Sequence, residues 1–401
     1  MEKVWKFLVG RAHAGRRGGV LILAVLIGAV GFGTARAADE KGTAGKSVSE
    51  TAASEQVAAE KIALGEPFWS AKKMEREPIL FIQEEGKSVA TGRLLFTPSA
   101  PPTILDPDGK TPYVAGQDYV WKPGSNTIEL TASSRIPFKT AAQMVPPAGS
   151  PNLLMGVLWA EGRFFHDLQV LATYEHAESL DLSAPAQPER LARSLAKLKA
   201  KQPLKVVSLG DSITEGFNAS GIKTCLAPPY QPSYPQLVAN TLAARFGAEV
   251  TLKNLGVAGT KADWGLTQVE KVAAEKPDLV LLAFGMNHGE PAADFEAIMR
   301  QLRDAVGTAC PEADIVLIAS MTGNPRIFPV ERFRGYLDAL RHLEAPHVAL
   351  ADVTTPWLEL LKRKSFSDLS GNNINHPNDF GHRFYAQVVC GLFPVKESSG
   401  K

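Results

Sequence analysis

Over residues 204–392 short apolar runs alternate with stretches of helical length, and this alternation constrains the fold more than any other feature of the sequence. The runs are 205–209, 250–255, 278–284, 314–320 and 348–352. Between and after them, 235–246, 262–274, 292–306, 330–343 and 380–392 read as helices. Strands that are apolar on both faces must be covered on both faces, and strands joined through helices run parallel. The pattern predicts an α/β domain over 204–395 with three layers, α/β/α, around a parallel five-stranded sheet. In such sheets functional groups gather just beyond the carboxyl ends of the strands.

The preceding half has another texture. From Gly65 to Leu182, short apolar runs are broken by turn chemistry such as Glu84-Glu85-Gly86, Asp106-Pro107-Asp108-Gly109 and Lys122-Pro123-Gly124-Ser125-Asn126. Leu94-Leu95-Phe96, Tyr119-Val120-Trp121, 127–130 and 170–174 have the β-branched and aromatic bias of strands. A small β-rich domain is expected over 63–184. Its plainest role is to pack against the second domain, and a sugar-binding module is the sharper alternative. A connector over 185–203 carries Leu191, Leu195 and Leu198 on one face of a short basic stretch, read as a solvated linker helix.

The chain opens with Lys3, Lys6, Arg11, Arg16 and Arg17, then an apolar run over 20–33 and Ala35-Arg36-Ala37. This predicts a secretory signal peptide over 1–37, cleaved after Ala37, and export to a periplasmic or extracellular space. The run is shorter than the roughly 20 residues a spanning helix needs, so no stable membrane insertion is expected after the signal is removed. Arg16-Arg17 alone does not make a twin-arginine signal. Residues 38–62, rich in Ala, Ser, Thr, Glu and Lys and without an aromatic residue, read as a flexible linker.

The 43 basic side chains balance 42 acidic ones, so no global field favours nucleic acid. Cys225, Cys310 and Cys390 are too few for a disulfide scaffold or a multi-cysteine metal site. At most one internal bridge can form, and spacing does not choose the pair. Nor does the sequence fix an oligomeric state.

The first apolar run leads into Gly210-Asp211-Ser212-Ile213-Thr214-Glu215-Gly216. Ser212 therefore lies where strand turns into helix, a position that exposes a hydroxyl at the sheet rim and favours developing negative charge, but that a simple helix cap also fills. Thr214 stands where the second glycine of a Gly-x-Ser-x-Gly elbow would be. Three further blocks follow in order: 254–259 (Asn-Leu-Gly-Val-Ala-Gly), Gly285-Met286-Asn287, and 373–378 (Asn-Ile-Asn-His-Pro-Asn). Gly259 follows the second strand, where a residue without Cβ lets its N–H approach a ligand, and the Asn287 amide ends the third strand as a donor.

These four blocks, spanning about 204–392, resemble the SGNH (GDSL-like) hydrolase superfamily. The resemblance implies a serine esterase with Ser212 as nucleophile and His376 as its base. It also implies an oxyanion hole made by the Ser212 N–H, the Gly259 N–H and the Asn287 side chain. No cofactor and no metal are expected: of the eight histidines, His376 and His382 could be called a metal pair, but no cysteine or acidic ligand spacing accompanies them and no His-Glu-x-x-His helix exists. By analogy with secreted carbohydrate esterases, the expected partner is an acylated small molecule or glycan and the ester an O-acetyl group. The rivals are a lipid or thioester acyl hydrolase, and a non-catalytic glycan-binding protein on the same fold. Tyr230 and Tyr234, in the loop 219–234, are expected to form a short polar-aromatic rim rather than an acyl groove.

Two positions depart from the family pattern. His288 follows the block-three asparagine where Asp is common, and Asn373 stands three residues before His376 where Asp is common. A carboxylate there ordinarily holds the histidine tautomer and stabilises its cation. Asp368 and Asp379 are the nearby acids, but Asp379 reads as a helix start. The expectation is a Ser-His dyad with a neutral acceptor.

Overall fold

The structure is a computed structural model that describes residues 61–183 and 185–395. The signal peptide, and all of the linker except Lys61 and Ile62, lie outside the described residues.

The β-rich region holds β1 (Lys73–Ile79), β2 (Phe81–Gln83), β3 (Thr91–Arg93), β4 (Thr103–Leu105), β5 (Tyr119–Trp121), β6 (Thr127–Leu130), β7 (Phe138–Thr140), β8 (Leu153–Leu154), β9 (Val157–Leu158) and β10 (Val170–Glu175). They make a sheet ordered β1-β10-β4, a sheet ordered β5-β6-β3-β2-β7 and a β8-β9 hairpin. In β10, Val170, Ala172 and Tyr174 are buried while their neighbours are more open, the period of two that a half-buried strand requires. Leu94-Leu95-Phe96 is not a strand: the strand is β3, just before it, and the three side chains point into the core from an irregular segment.

Helix α1 (Ala192–Lys199) opens the second half. It is not solvated, because Leu191, Leu195 and Leu198 are all buried and the buried Asp314 carboxylate accepts the Ser194 N–H at 2.7 Å. The sheet that follows contains β11 (Leu204–Gly210), β12 (Val250–Asn254), β13 (Leu279–Ala283), β14 (Asp314–Ala319) and β15 (Val348–Asp352). Its order is β12-β11-β13-β14-β15 and every neighbouring pair is parallel. The three-layer α/β fold with a separate β-rich region is thus the architecture of the chain.

Adjacent residues of one strand serve opposite layers. Val206, Leu281 and Val316 join one core, while Val207, Leu282 and Leu317 join the other. Edge strand β12 alternates in burial instead of being apolar throughout, because only the face bearing Val250 and Leu252 packs on the core. The helices are α2 (Ser212–Glu215), α3 (Tyr234–Phe246), α4 (Ala262–Leu266), α5 (Val269–Ala274), α6 (Ala292–Ala309), α7 (Val330–Arg341), α8 (Thr354–Leu361), α9 (Phe366–Leu369) and α10 (Asp379–Gly391). The stretch expected as one helix over 262–274 is two, α4 and α5. Pro235 in the first turn of α3 costs no intrahelical bond, and Gly247 ends that helix in the left-handed conformation.

The core of the α3/α10 face continues into the β-rich region, where Phe68 lies 4.8 Å from Phe380 and Trp69 lies 6.0 Å from Phe384, ring centre to ring centre. A buried ionic cluster joins the same two parts. Lys364 Nζ lies 2.8 Å from Glu77 Oε1 and 3.4 Å from Asp368 Oδ2, and donates to the carbonyls of Pro78 and Arg93. Asp368 Oδ1 accepts the Leu80 N–H at 2.8 Å, and Glu77 accepts the Leu95 N–H and the Tyr174 hydroxyl. Removing one partner of a buried pair strands the other charge. Lys364→Met should therefore lower unfolding stability by about 3–5 kcal/mol. Urea unfolding monitored by circular dichroism measures this, and a loss under about 1 kcal/mol would show that the cluster is dispensable.

Candidate active site

The chain winds in opposite directions from β11 to β12 and to β13, which makes the carboxyl end of β11 the switch point where such sheets place their functional groups. Ser212 stands there as the first residue of α2. Gly210 is required at the turn, because a Cβ would fall 2.2 Å from Thr214 Oγ1 and 2.5 Å from the Ala283 carbonyl. Asp211 caps the turn by accepting the Ile213 N–H at 3.0 Å.

The block after β12 is laced to this turn. The Asn254 amide donates to the Thr214 carbonyl at 2.7 Å, and its oxygen accepts the Gly256 N–H at 2.9 Å. The Val257 N–H donates to the Gly210 carbonyl, and the Ala258 N–H to Glu215. Gly259 is exposed at φ 76° with open space around its Cβ position, so conformation and not crowding selects glycine there. Asn287, beyond β13, donates one amide hydrogen to the Thr260 carbonyl at 3.1 Å, in the same loop.

His376 arrives from the loop between α9 and α10. Its Nε2 lies 2.9 Å from Ser212 Oγ. Both side chains are buried, and Phe217 packs edge-on against the imidazole with ring centres 5.0 Å apart. All four blocks thus meet around the end of β11.

None of the three residues named from the sequence, Asn373, Asp368 and Asp379, faces His376 Nδ1. Asn373 does not face it: at φ 62° its amide turns away and donates to the Leu158 carbonyl at 2.8 Å. Asp368 belongs to the Lys364 cluster, and Asp379 accepts the N–H and hydroxyl of Ser220, both at 2.7 Å. Three other groups reach Nδ1. Asn218 Oδ1 is at 3.0 Å, Asn372 Nδ2 at 3.0 Å and Glu161 Oε1 at 3.4 Å. Asn218 is oriented by its own amide, which donates to the carbonyls of Gly162 and Gly371. Asn372 is oriented by its oxygen, which accepts the N–H groups of Ile374, Asn375 and His376. Glu161 and Gly162 belong to the β-rich region. No local sequence signal marks Glu161, because its partner Asn372 is 211 residues away.

The remaining candidates are structural. His288 Nε2 accepts the Ala262 N–H at 3.0 Å while Nδ1 faces Glu290, and burial, partly offset by Glu290, lowers its pKa. His382 is buried between the Tyr234 N–H and the Phe217 carbonyl, and burial pushes it down to about 4. Tyr234 is not on a rim: it is fully buried and its hydroxyl lies 2.9 Å from Thr214 Oγ1. The three cysteines are free and buried. Among the described residues no group of three or more His, Cys, Asp or Glu side chains is placed to hold a metal ion, and no helix is long and apolar enough to cross a membrane.

Residues 208–384 match the GDSL-like Lipase/Acylhydrolase family. Among solved structures the chain is similar to a two-domain esterase (CEX) active on acetylated mannans, with 21% identity and a TM-score of 0.43 over 54% of this chain and 57% of that one. It is also similar to Axe2, an acetylxylan esterase from Geobacillus stearothermophilus, with 20% identity and a TM-score of 0.39 over 48% of this chain and 95% of that one. A third is a member of the lipolytic protein G-D-S-L family from Veillonella parvula, with 16% identity and a TM-score of 0.38 over 48% and 99% of the two chains. The chain thus spans just over half of the mannan esterase's length. No curated protein matches the sequence.

Burial pushes the Asp211 carboxyl up to about 6, against the opposing pull of the Ile213 N–H and of His376. A carboxyl raised in the folded state adds stability that is complete below its unfolded pKa, near 3.8, and is lost as pH rises through 6. The loss is on the order of 3 kcal/mol. Asp211→Asn keeps an oxygen for Ile213 but cannot titrate, so its unfolding free energy should vary less between pH 4 and 6 than that of the wild type. Urea unfolding across that range measures the slope, and an unchanged slope would mean that Asp211 does not titrate there.

Proposed function

We propose, from the match of residues 208–384 to the GDSL-like Lipase/Acylhydrolase family, that this chain is a serine esterase that cleaves its ester through an acyl-serine intermediate. The observation that carries this reading is the 2.9 Å approach of Ser212 Oγ to His376 Nε2, with Asn218 Oδ1 on the opposite ring nitrogen. A hydroxyl is a weak nucleophile at neutral pH and needs such a base. With the Nδ1 hydrogen directed to Asn218, Nε2 presents its lone pair to the serine.

Ser212 Oγ attacks the ester carbonyl as His376 takes its proton, and the oxyanion is received by the N–H groups of Ser212 and Gly259 and the Asn287 amide. His376 then protonates the departing alcohol, and water, activated by the same base, releases the acid. The anchoring of Gly256–Gly259 on the serine turn supports the second donor, and the bond of Asn287 to Thr260 leaves its other amide hydrogen for the third.

The substrate class proposed is an O-acetylated glycan outside the cytoplasm, in keeping with the export signal read in residues 1–37 and with the polar side chains of Glu161 beside His376 and of Asn287 beside Thr260.

Ser212→Ala should abolish release of acetate from acetylated glycans while leaving the melting temperature unchanged, since it opens no core cavity. Wild-type turnover in that variant would remove the nucleophile. Asn287→Ala should lower kcat by about 10²–10³, the usual loss for one oxyanion donor. A change confined to KM would make Asn287 a binding group instead. Acetyl esters should exceed octanoyl esters in kcat/KM, and a value rising with chain length would favour a lipid substrate.

A further inference from the structure

Granted the acyl-serine reading, the arrangement around Nδ1 leaves one question of chemistry open and supplies a group that answers it. Asn218 presents an acceptor to Nδ1 and Asn372 presents a donor, both at 3.0 Å. The first favours the tautomer with hydrogen on Nδ1, which the mechanism needs. The second favours the tautomer with hydrogen on Nε2, which cannot accept the serine proton. The Asn372 amide also donates to Glu161 Oε1 at 2.8 Å and to Asn375 Oδ1 at 3.1 Å, which use both its hydrogens and leave Asn218 as the neutral partner of Nδ1, but neither amide can neutralise an imidazolium.

We infer that Glu161, carried on a loop of the β-rich region, is the positioning carboxylate of His376, selecting the Nδ1–H tautomer and stabilising the cation formed when Ser212 is deprotonated. Its Oε1 lies 3.4 Å from Nδ1 and accepts the Asn372 amide at 2.8 Å, drawing that donor towards itself. Burial works to raise the Glu161 carboxyl, but His376 and the Asn372 amide outweigh it and hold the group below its ordinary value, so it is ionised at neutral pH.

The loop is held at three points, each by an asparagine amide. Asn373 donates to the Leu158 carbonyl, Asn372 to Glu161 and Asn218 to the Gly162 carbonyl. This explains Asn373. An aspartate there could not donate to Leu158, whereas the asparagine secures the segment that brings the carboxylate from elsewhere. The usual single aspartate is divided into a neutral acceptor, Asn218, and a charge, Glu161.

The other titratable groups acting on His376 are Asp211, buried beside Ser212, and His382, held neutral by burial. Glu161→Gln keeps an oxygen for Asn372 and removes only the charge. With 4-nitrophenyl acetate as probe it should lose about ten- to a hundredfold in kcat, less than the ~10⁴ of a triad whose only acid is neutralised, because Asn218 still accepts the proton. KM should stay within about twofold, and the acidic limb of the kcat/KM profile should move to lower pH by about one unit, as loss of a nearby opposite charge requires. Glu161→Asp should recover part of the loss. Repeating the profile with Asp211→Asn assigns the limb to His376 if the limb persists. Wild-type kcat and an unmoved limb in both Glu161→Gln and Glu161→Ala would overturn the inference and leave Asn218 as the sole partner. Activity surviving in Ser212→Ala would overturn the acyl-serine reading itself, a different result from either.

Discussion

The buried ammonium of Lys364 is the interaction on which the arrangement of the candidate site depends. A charge with 1% of its side chain exposed persists only if it is paired and its hydrogens are used, and here the partners come from both parts of the fold. Glu77, Pro78 and Arg93 belong to the β-rich region, while Asp368 lies in α9, just before the loop that carries His376. Asp368 also closes a capping box with Ser365, so one carboxylate pairs with the lysine, caps the start of a helix and accepts the Leu80 N–H. The histidine loop is gripped again from the same side. Gln169 donates to the carbonyls of Ser367 and Ser370, and its oxygen accepts the Asn378 amide. The bland reading of the β-rich region, a packing partner, is therefore incomplete: its contacts fall on the segment that sets the imidazole.

What could be read from sequence divides along physical lines. Burial on both faces of a parallel strand leaves a continuous apolar signature, so the five strands were legible to within a residue at each end, as were the four blocks beyond them, whereas the helices were read less closely: α6 runs three residues past its expected end and 262–274 is two helices. The errors lie where tertiary packing overrides local pattern. Leu191, Leu195 and Leu198 lay on one face of a basic helix, and basicity misled, because Lys197 pairs with Asp278 while the leucines are buried. Tyr234 lay among prolines in a loop, but its hydroxyl finds Thr214 and its ring finds Tyr385, contacts that no local window contains. Leu94-Leu95-Phe96 had strand composition, yet composition reports burial, and an irregular segment can be buried if its backbone groups find partners, as Leu95 does with Glu77.

The same reasoning explains why Ser212 and His376 were visible and their neighbours were not. A residue in the position proposed to react is tied to a turn geometry, which leaves a local motif. A residue that orients another needs only to be near it, and Asn218, 158 positions from His376, leaves none. Position 373 is the instructive case. The motif fixes where the residue lies in the chain but not where its side chain points, and the left-handed backbone at φ 62° turns it away from the imidazole. Asparagine tolerates that conformation better than most residues, as it does at Asn218, φ 63°.

Holding a tautomer and stabilising a cation place different demands on a partner. The first requires an acceptor at hydrogen-bond distance along the N–H direction, and a buried amide fixed by its own bonds meets it at no cost in buried charge. The second requires only a negative charge within a few ångströms, and that charge is costly to bury. Asn218 is 4% exposed, whereas 42% of the Glu161 side chain is open to solvent. Dividing the two tasks lets the geometric partner sit in the interior while the charged one keeps part of its hydration. A more exposed carboxylate is also a weaker one, since solvent screens its field. The proposed division therefore exchanges electrostatic strength at the imidazole for a lower cost of burial, and makes the β-rich region part of the site's chemistry as well as of its support.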